Sequence, residues 1–261
     1  MRSRWLIALA LVATATTSAA QGSNTLEAQI RARTRVIESP QTSRAERLDA
    51  QADRGALFRK AGQFDLALVD LTEVIRQRAG ADDVYVERGM TYVATRQRVL
   101  AMTDFSDALR INPSNRTALS QRAALYRAQE QYDEAIRDLN QAVALEPGDP
   151  WAVSERGLDF LAKADFDAAI ADFNRALELT PTSAWTFAER GVAYLRSGRP
   201  AQAVEDLSRA LELDEGDAWT LYARGIARTK TGDADAGSRD IAAAIKVWPD
   251  VAVAAAKDGI R

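Results

Sequence analysis

Apolar and small residues recur along most of the chain at the three- and four-residue spacing of an amphipathic helix, in short runs separated by polar breaks. The runs come in pairs. Between Leu48 and Val251 the paired pattern repeats six times, every 34 residues, without insertion or deletion. Each repeat predicts a helical hairpin that turns near its fifteenth place. The six blocks are 48–81, 82–115, 116–149, 150–183, 184–217 and 218–251.

Particular places within a block hold one residue type throughout the series. The seventh place is arginine and the twenty-third is aspartate in all six blocks. The eighth place is small, and holds Gly55, Gly89, Ala123, Gly157, Gly191 and Gly225. The eleventh is aromatic in five blocks, as Phe58, Tyr92, Tyr126, Phe160 and Tyr194. The twentieth and twenty-seventh are mostly alanine, and the thirty-second holds Pro113, Pro147, Pro181 and Pro249.

This 34-residue pattern of small, aromatic, small, small and proline places resembles the tetratricopeptide repeat over about four fifths of the chain. It departs from the common pattern at the seventh place, where leucine is usual. The last block is degraded, with Arg228 at the aromatic place and Gly237 at an alanine place. The resemblance implies an all-α, right-handed α-solenoid of six tetratricopeptide-like hairpins with N- and C-terminal capping helices.

The segments that flank the blocks fit this reading. Residues 21–47 predict a polar lead followed by a capping helix that ends before Pro40, and residues 252–261 predict a C-terminal cap. Helix N-caps are expected at the last place of a block, which holds Asn115, Asp149, Ser183 and Asp217. At the hairpin turns, left-handed glycines are expected at Gly62, Gly198 and Gly232, whereas three other turns hold Arg96, Glu130 and Ala164.

The first twenty residues differ from the rest of the chain. Arg2 and Arg4 precede an apolar run that begins at Trp5, and small residues end the segment at Ala20. This pattern is typical of a secretory signal peptide over residues 1–20, cleaved after Ala20. The alternative is an uncleaved anchor, for which the apolar run is short. We therefore expect no stable membrane span after cleavage and a periplasmic or, second, a secreted protein.

The arginine and aspartate at the seventh and twenty-third places are each eight positions from the turn. Two antiparallel helices would bring them side by side, where a guanidinium can bind a carboxylate through two hydrogen bonds. The predicted structural ion pairs are Arg54 with Asp70, Arg88 with Asp104, Arg122 with Asp138, Arg156 with Asp172, Arg190 with Asp206 and Arg224 with Asp240. Partners in neighbouring repeats remain an alternative. A row of catalytic or cation-binding carboxylates is disfavoured, because each arginine already uses the charge.

The resemblance implies that the first helix of each hairpin lines a concave groove, with the second, fifth, ninth and twelfth places facing it. The apolar residues at these places, which we predict to form a peptide-binding groove, are Trp151, Trp185, Trp219, Val86, Met90, Leu158, Leu161, Val192, Leu195, Tyr222 and Ile226. One tryptophan per block would suit a peptide or helix inserted lengthwise. The alternative is that each tryptophan packs over its neighbouring repeat as part of the core.

Charged residues beside this groove provide few contacts that could recognise a partner peptide. The lysine and asparagine with which some tetratricopeptide proteins hold a peptide carboxylate do not occur at the fifth and ninth places. Arg59, Lys60 and Arg127 would flank the groove and predict a modest preference for an acidic partner segment. An apolar groove also invites self-association or filling by one of the chain's own ends. A homo-oligomeric structural subunit is therefore the second function hypothesis.

The amino-acid composition excludes most kinds of catalytic and metal-binding site. The 261 residues include no histidine and no cysteine, which excludes disulfides, thiol catalysis and most zinc or copper ligand sets. The formal net charge is -3, and no basic cluster predicts nucleic-acid binding. We therefore expect no cofactor, no metal site and no enzymatic activity. The function predicted from the sequence is an exported scaffold for protein-protein interaction, with a partner whose identity the sequence does not give.

Overall fold

The computed structural model describes residues 25–78 and 80–260. The predicted signal peptide lies outside these residues. Every regular element in the described part of the chain is helical, and no strand occurs there. The predicted all-α class is confirmed.

Fourteen helices follow one another in the described residues, and twelve of them form six hairpins. Residues 25–38 are helical and are called α1. The others are α2 (Arg44–Lys60), α3 (Phe64–Gln77), α4 (Asp82–Ala94), α5 (Arg98–Ile111), α6 (Arg116–Arg127), α7 (Tyr132–Leu145), α8 (Pro150–Ala162), α9 (Phe166–Leu179), α10 (Ala184–Arg196), α11 (Pro200–Leu213), α12 (Ala218–Lys230), α13 (Ala234–Val247) and α14 (Val251–Lys257).

The chain forms two compact units, of which the first ends at Gln121 and the second begins at Arg122. Within each unit the two helices of a hairpin pack on each other, and the second helix packs on the first helix of the next hairpin. In the second unit, α14 packs on α12 and α13. A hairpin alone would leave one apolar face in water, so the stacking of neighbours creates the core.

The eighth and twenty-fourth places of each hairpin determine how closely its two helices approach. A Cβ atom added to Gly191 would lie 2.7 Å from Cγ of Leu207, and one added to Gly157 would lie 2.9 Å from the ring of Phe173. Leu207 and Phe173 are fully buried. Glycine at the eighth place therefore gives the large side chain of the second helix room to pack against the first helix.

The helix N-caps lie where the sequence predicts them. Side-chain oxygens of Asp149, Ser183 and Asp217 accept hydrogen bonds from backbone N–H groups in the first turns of α8, α10 and α12. Asn115 does the same for the N–H of Ala118. One boundary differs, because α2 begins four residues before the first block. Ser43 and Glu46 form a reciprocal capping box there, which lengthens the helix.

Turns between the paired helices adopt the left-handed conformation with or without glycine. Gly62, Gly198 and Gly232 have φ values of 73°, 79° and 95°, as predicted. The residues that replace glycine take the same conformation, and their φ values are 60° for Arg96, 59° for Glu130 and 60° for Ala164. A Cβ atom in this region costs about 1–2 kcal/mol. The packing of the hairpins therefore imposes the turn geometry on unfavourable residues.

Each arginine at the seventh place binds the aspartate at the twenty-third place of its own hairpin. In all six pairs Nε and one terminal nitrogen donate to the two carboxylate oxygens, at 2.7–2.9 Å. The aspartates are buried and the arginines are about one fifth exposed. Hydrogen bonds to the aspartates raise the pKa of Arg54, Arg88, Arg122, Arg156 and Arg190, although burial opposes this.

The remaining terminal nitrogen of several of these arginines reaches the preceding helical element. Within the first unit, Arg88 donates to Thr72 Oγ1 at 3.2 Å. Within the second, Arg156 donates to Asn140 Oδ1 at 2.9 Å and Arg190 to Asn174 Oδ1 at 2.7 Å. The guanidinium therefore fixes the register of its own hairpin and also bonds the preceding one. The six arginine–aspartate ion pairs therefore form within a repeat, and the bonds across repeats are hydrogen bonds to Thr72, Asn140 and Asn174.

We predict that Ala164→Gly stabilises the protein, because glycine adopts the left-handed turn conformation without a Cβ clash. The expected gain is about 1 kcal/mol in the free energy of unfolding. The matched control is Ala162→Gly, two residues earlier at the exposed end of α8. That change should cost about 0.5–1 kcal/mol, because the backbone there is helical. Chemical denaturation measures both, and a loss of stability in both variants would contradict the prediction.

We predict that Gly191→Leu lowers the melting temperature clearly, because its Cβ would enter the space of Leu207. Overpacking of this kind costs about 1–3 kcal/mol. Gly216→Ala is the control, since nothing lies within 4 Å of a Cβ atom added there. An unchanged thermal transition in Gly191→Leu would show that the two helices are not in the register described.

Candidate functional site

Three tryptophans stand at the second place of successive hairpins in the second unit, at the start of α8, α10 and α12. Trp151 and Trp185 are 46% and 44% exposed. Trp219 is partly buried, and its ring centroid lies 6.4 Å from that of Trp248. Trp248 follows α13 and was not among the predicted groove residues. Two of the three predicted ladder residues therefore present large apolar surfaces to solvent.

A cavity of about 640 Å³ in the second unit is lined mainly by the first helices of the fourth to sixth hairpins and by α14. Predicted groove residues supply its apolar lining, namely Leu158, Leu161, Val192 and Trp219. Unpredicted residues include Glu189, Arg196 and Trp248, as well as Lys257 and Asp258 at the end of α14. The C-terminal segment thus forms one wall of the cavity.

A second cavity, of about 270 Å³, adjoins this region near the helix N-termini. Trp185 and Trp219 line it together with Glu189 and with Asp217, the N-cap of α12. Glu189 and Trp219 therefore belong to the walls of both cavities. These two side chains connect the tryptophan surface with the larger cavity.

Several predicted groove residues in the second unit also contribute to its core. Leu161, Val192 and Leu195 are buried in one cluster, and Tyr222 and Ile226 pack against it. Ile260, beyond α14, is buried in the same cluster. The side chains of the inner helices thus stabilise the stack and, where they border the cavities, also shape its surface.

Val86 and Met90 lie in the first unit, and both line a cavity of about 310 Å³ there. Val86 is buried, whereas Met90 is partly exposed. The same cavity has three carboxylates in its wall, Asp53, Asp83 and Glu87. Two of them are bound by an arginine, Asp53 by Arg33 at 3.0 Å and Glu87 by Arg59 at 2.8 Å.

Two of the three basic residues expected to favour an acidic partner, Arg59 and Arg127, form ion pairs within the fold. Arg59 binds Glu87 of the next hairpin, and Arg127 binds both Glu155 and Asp159. Burial disfavours the charged form of Arg127, but the two carboxylates outweigh it and raise its pKa. Carboxylates of neighbouring helices therefore compensate the charge of Arg59 and Arg127, and the expected preference for an acidic segment would depend on Lys60.

Glu189, at the sixth place of its block, was not predicted as a site residue. Burial raises its pKa to about 7, and the nearby carboxylates of Asp258, Asp217 and Glu155 add to this effect. The side chain is largely buried, and no hydrogen bond or ion pair satisfies it within the described residues. The sequence contained a pattern that could have identified Glu189. The sixth place is acidic in four blocks, and among these four residues only Glu189 follows a block that has leucine at its twelfth place.

The side chains of this surface can make apolar contacts and electrostatic interactions. In the part of the chain that the structure describes, no group of acidic side chains is arranged to hold a metal ion. No helix of that part has the length and apolar character needed to cross a membrane. The surface instead offers exposed aromatic rings, two adjoining cavities and one largely buried carboxyl group.

Family comparison identifies tetratricopeptide repeats in three stretches of the chain. A model described as "TPR repeat" matches residues 157–198, and models described as "Tetratricopeptide repeat" match residues 117–149 and 184–217. Comparison with curated proteins gives no match.

Solved structures share the fold. PilF of Pseudomonas aeruginosa is 18% identical, with a TM-score of 0.67 over 77% of this chain and 92% of that one. YrrB, described as a TPR protein with an unusual peptide-binding site, is 20% identical, with a TM-score of 0.60 over 72% and 97%. A MamA structure (AMB-1) is 26% identical, with a TM-score of 0.57 over 65% and 93%.

The sequence period, the hairpins and these matches agree. Helical hairpins recur every 34 residues, glycine or alanine at the eighth place contacts the second helix, and the matched stretches fall within the blocks. The chain therefore contains tetratricopeptide repeats, in residues 117–149 and 157–217.

Proposed function

We propose that this protein is an exported, non-catalytic scaffold that holds a segment of a partner protein against its tryptophan surface, defined as Trp151, Trp185 and Trp219. The observation that carries the proposal is the exposure of Trp151 and Trp185, at the same place of successive hairpins. Large aromatic side chains supply much of the binding energy at protein interfaces. Their repetition gives a partner segment one contact per hairpin.

The cavities beside the tryptophans support this proposal. The larger one has an apolar wall of leucine, valine and tryptophan side chains, which suits an apolar side chain or the stem of a long one. The likeness to YrrB adds an analogy, because that protein is described as having a peptide-binding site. Fold likeness alone leaves the partner open, so the site residues bear the proposal.

The alternative is a structural subunit in which a second copy of the chain covers the tryptophan surface. The exposure of Trp151 and Trp185 supports this alternative equally well, because a second copy of the chain can cover an apolar patch just as a bound peptide can. Light scattering distinguishes the two. A monomer supports the partner-binding function, and a stable dimer that Trp185→Ala dissociates supports the structural subunit.

We predict that a photoreactive amino acid at Trp185 crosslinks to a partner protein in the native compartment. The same amino acid at Arg175, on the exposed side of α9, is the control and should not capture that partner. Trp151→Ala in the crosslinking chain should lower the yield about tenfold or more, because it removes an aromatic contact. Capture from Arg175 alone would place the interface on the second helices and contradict the proposal.

Export is also a proposal, based on the cationic, apolar and small-residue order of residues 1–20. We predict that the protein isolated from a bacterial cell envelope fraction begins at Gln21. N-terminal sequencing measures this directly. A chain that retains Met1 and sediments with membranes would favour the uncleaved anchor.

A further inference from the structure

The sixth place of the repeat carries a carboxylate in four of the six blocks, as Asp53, Glu87, Glu155 and Glu189. The structure gives three of them an arginine from an earlier helix. Asp53 is bound by Arg33 of α1, Glu87 by Arg59 of α2, and Glu155 by Arg127 of α6. In the last two pairs the arginine stands at the twelfth place of the preceding hairpin. The chain thus normally supplies its own cation at this position.

Glu189 is the exception. The twelfth place of the preceding hairpin is Leu161, whose side chain is buried and apolar. Leu161 lines the 640 Å³ cavity beside Glu189. Where the first and third hairpins place a guanidinium, the fourth therefore leaves open space next to a carboxyl group. Of the four carboxylates, only Glu189 has no ion-pair partner in the described residues.

Other carboxylates near Glu189 increase the electrostatic cost of its negative charge in the absence of a paired cation. Asp258 at the end of α14, Asp217 at the start of α12 and Glu155 on α8 all disfavour its negative charge. Glu155 is neutralised by Arg127, but no described cation neutralises the other two. These neighbouring carboxylates favour a positive group beside Glu189.

Two cations also line the cavity, and neither forms an ion pair with Glu189. The guanidinium of Arg196, on α10 itself, lies 5.4 Å from the ring centroid of Phe166. Lys257 is exposed at the last turn of α14. Both line only the larger of the two cavities, whereas Glu189 lines both.

We propose that the cavity beside Glu189 is the subsite for a lysine or arginine side chain of the bound partner segment. The cationic end of that side chain pairs with Glu189, and its aliphatic stem packs against Leu158, Leu161 and Val192. The partner thereby supplies the cation that Arg59 and Arg127 supply within the chain. This inference rests on the proposed function, because it assigns one residue type to the segment that the scaffold holds.

The walls of the cavity favour a long basic side chain over a small cation. Three aliphatic side chains and Trp219 border the space, together with two carboxylates, Glu189 and Asp258. Lysine and arginine bury an apolar stem while their charged end reaches a polar partner. The face of Trp219 or Trp248 would add a cation–π contact. A metal ion would need several oxygen ligands, which this cavity does not assemble.

The test uses small analogues of the lysine side chain on the full chain. We would titrate n-butylammonium, 1-butanol and butyrate, and follow the indole N–H signal of Trp219 by NMR. We expect n-butylammonium to bind at least about tenfold more tightly than 1-butanol, and butyrate to bind least, as charge complementarity requires. Equal binding of n-butylammonium and 1-butanol would overturn the proposal.

Glu189→Gln is the decisive variant, and Glu87→Gln is its matched control. Glu189→Gln should abolish the preference for n-butylammonium over 1-butanol, whereas Glu87→Gln should preserve it, because Glu87 has its own arginine. Leu161→Arg restores the pattern of the other hairpins and should also abolish the preference, by occupying the cavity. If Leu161→Arg does not fold, the Glu189→Gln result decides. A preference retained in Glu189→Gln would overturn the proposal.

The affinity for n-butylammonium should depend on pH. Because the pKa of Glu189 is raised to about 7, its ionised fraction grows about tenfold between pH 6 and pH 8, and the affinity should grow by about the same factor. The ammonium of the probe keeps its proton in this range. Glu189→Gln should bind equally at both pH values. An equal pH dependence in Glu189→Gln would assign the attraction to another group.

Thermal melting checks independently that Glu189→Gln folds. The folded chain holds a proton on Glu189 that the unfolded chain releases, because the folded pKa is the higher one. The protein therefore loses stability as the pH rises from about 4.5 to about 7. Glu189→Gln should melt higher than the original chain at pH 8 and at the same temperature near pH 4.

These results separate the two proposals. If Trp185 crosslinks a partner while n-butylammonium and 1-butanol bind alike, the scaffold function stands and the basic-side-chain subsite is wrong. If n-butylammonium binds as expected but only Arg175 captures a partner, the subsite exists and the tryptophan surface is not the partner interface.

Discussion

The fold depends on the contact between the seventh and twenty-third places. A buried aspartate cannot remain charged without a partner, and the arginine eight residues before the turn is the partner that reaches it. Each guanidinium donates hydrogen bonds to the aspartate from two nitrogens. In Arg88, Arg156 and Arg190 the third nitrogen donates to the preceding hairpin. One planar group therefore sets the register within a hairpin and, in these three cases, also bonds that hairpin to the preceding one. Leucine, usual at this place in related repeats, would supply neither.

Because this contact recurs, the surfaces of the hairpins differ mainly where residues depart from the repeat. Leu161 instead of arginine at the twelfth place leaves Glu189 without a cation, and the degraded last block ends in Trp248, which packs near Trp219. The regular places build the stack, and the irregular places concentrate at the cavities of the second unit. Function in this chain is best sought among the exceptions to the period.

Much of this was readable from the sequence, and the limits have physical causes. Period and helical spacing predict the hairpins, the caps at Asp149, Ser183 and Asp217, and the left-handed glycines, because each depends on local chemistry. The contact of Gly191 with Leu207 was predicted only in part. The sequence indicated a small residue at the eighth place, but not the large side chain at the twenty-fourth place that packs against it. The pairing of Arg127 with Glu155 and the position of α14 depend on contacts between hairpins, which no spacing rule within one block describes.

The short helix α14 closes the second unit by covering α12 and α13 with only seven residues, followed by the buried Ile260. A seventh hairpin would need this same face, so the repeat series can grow at this end only by displacing α14. A chain cut before Val251 would leave that face bare, and any complementary apolar surface of another molecule could then occupy it. Head-to-tail contacts of that kind form a ring only if the rotation between copies closes, and otherwise they form open fibres. Residues 251–260 thus cover a face that would otherwise be open to such contacts.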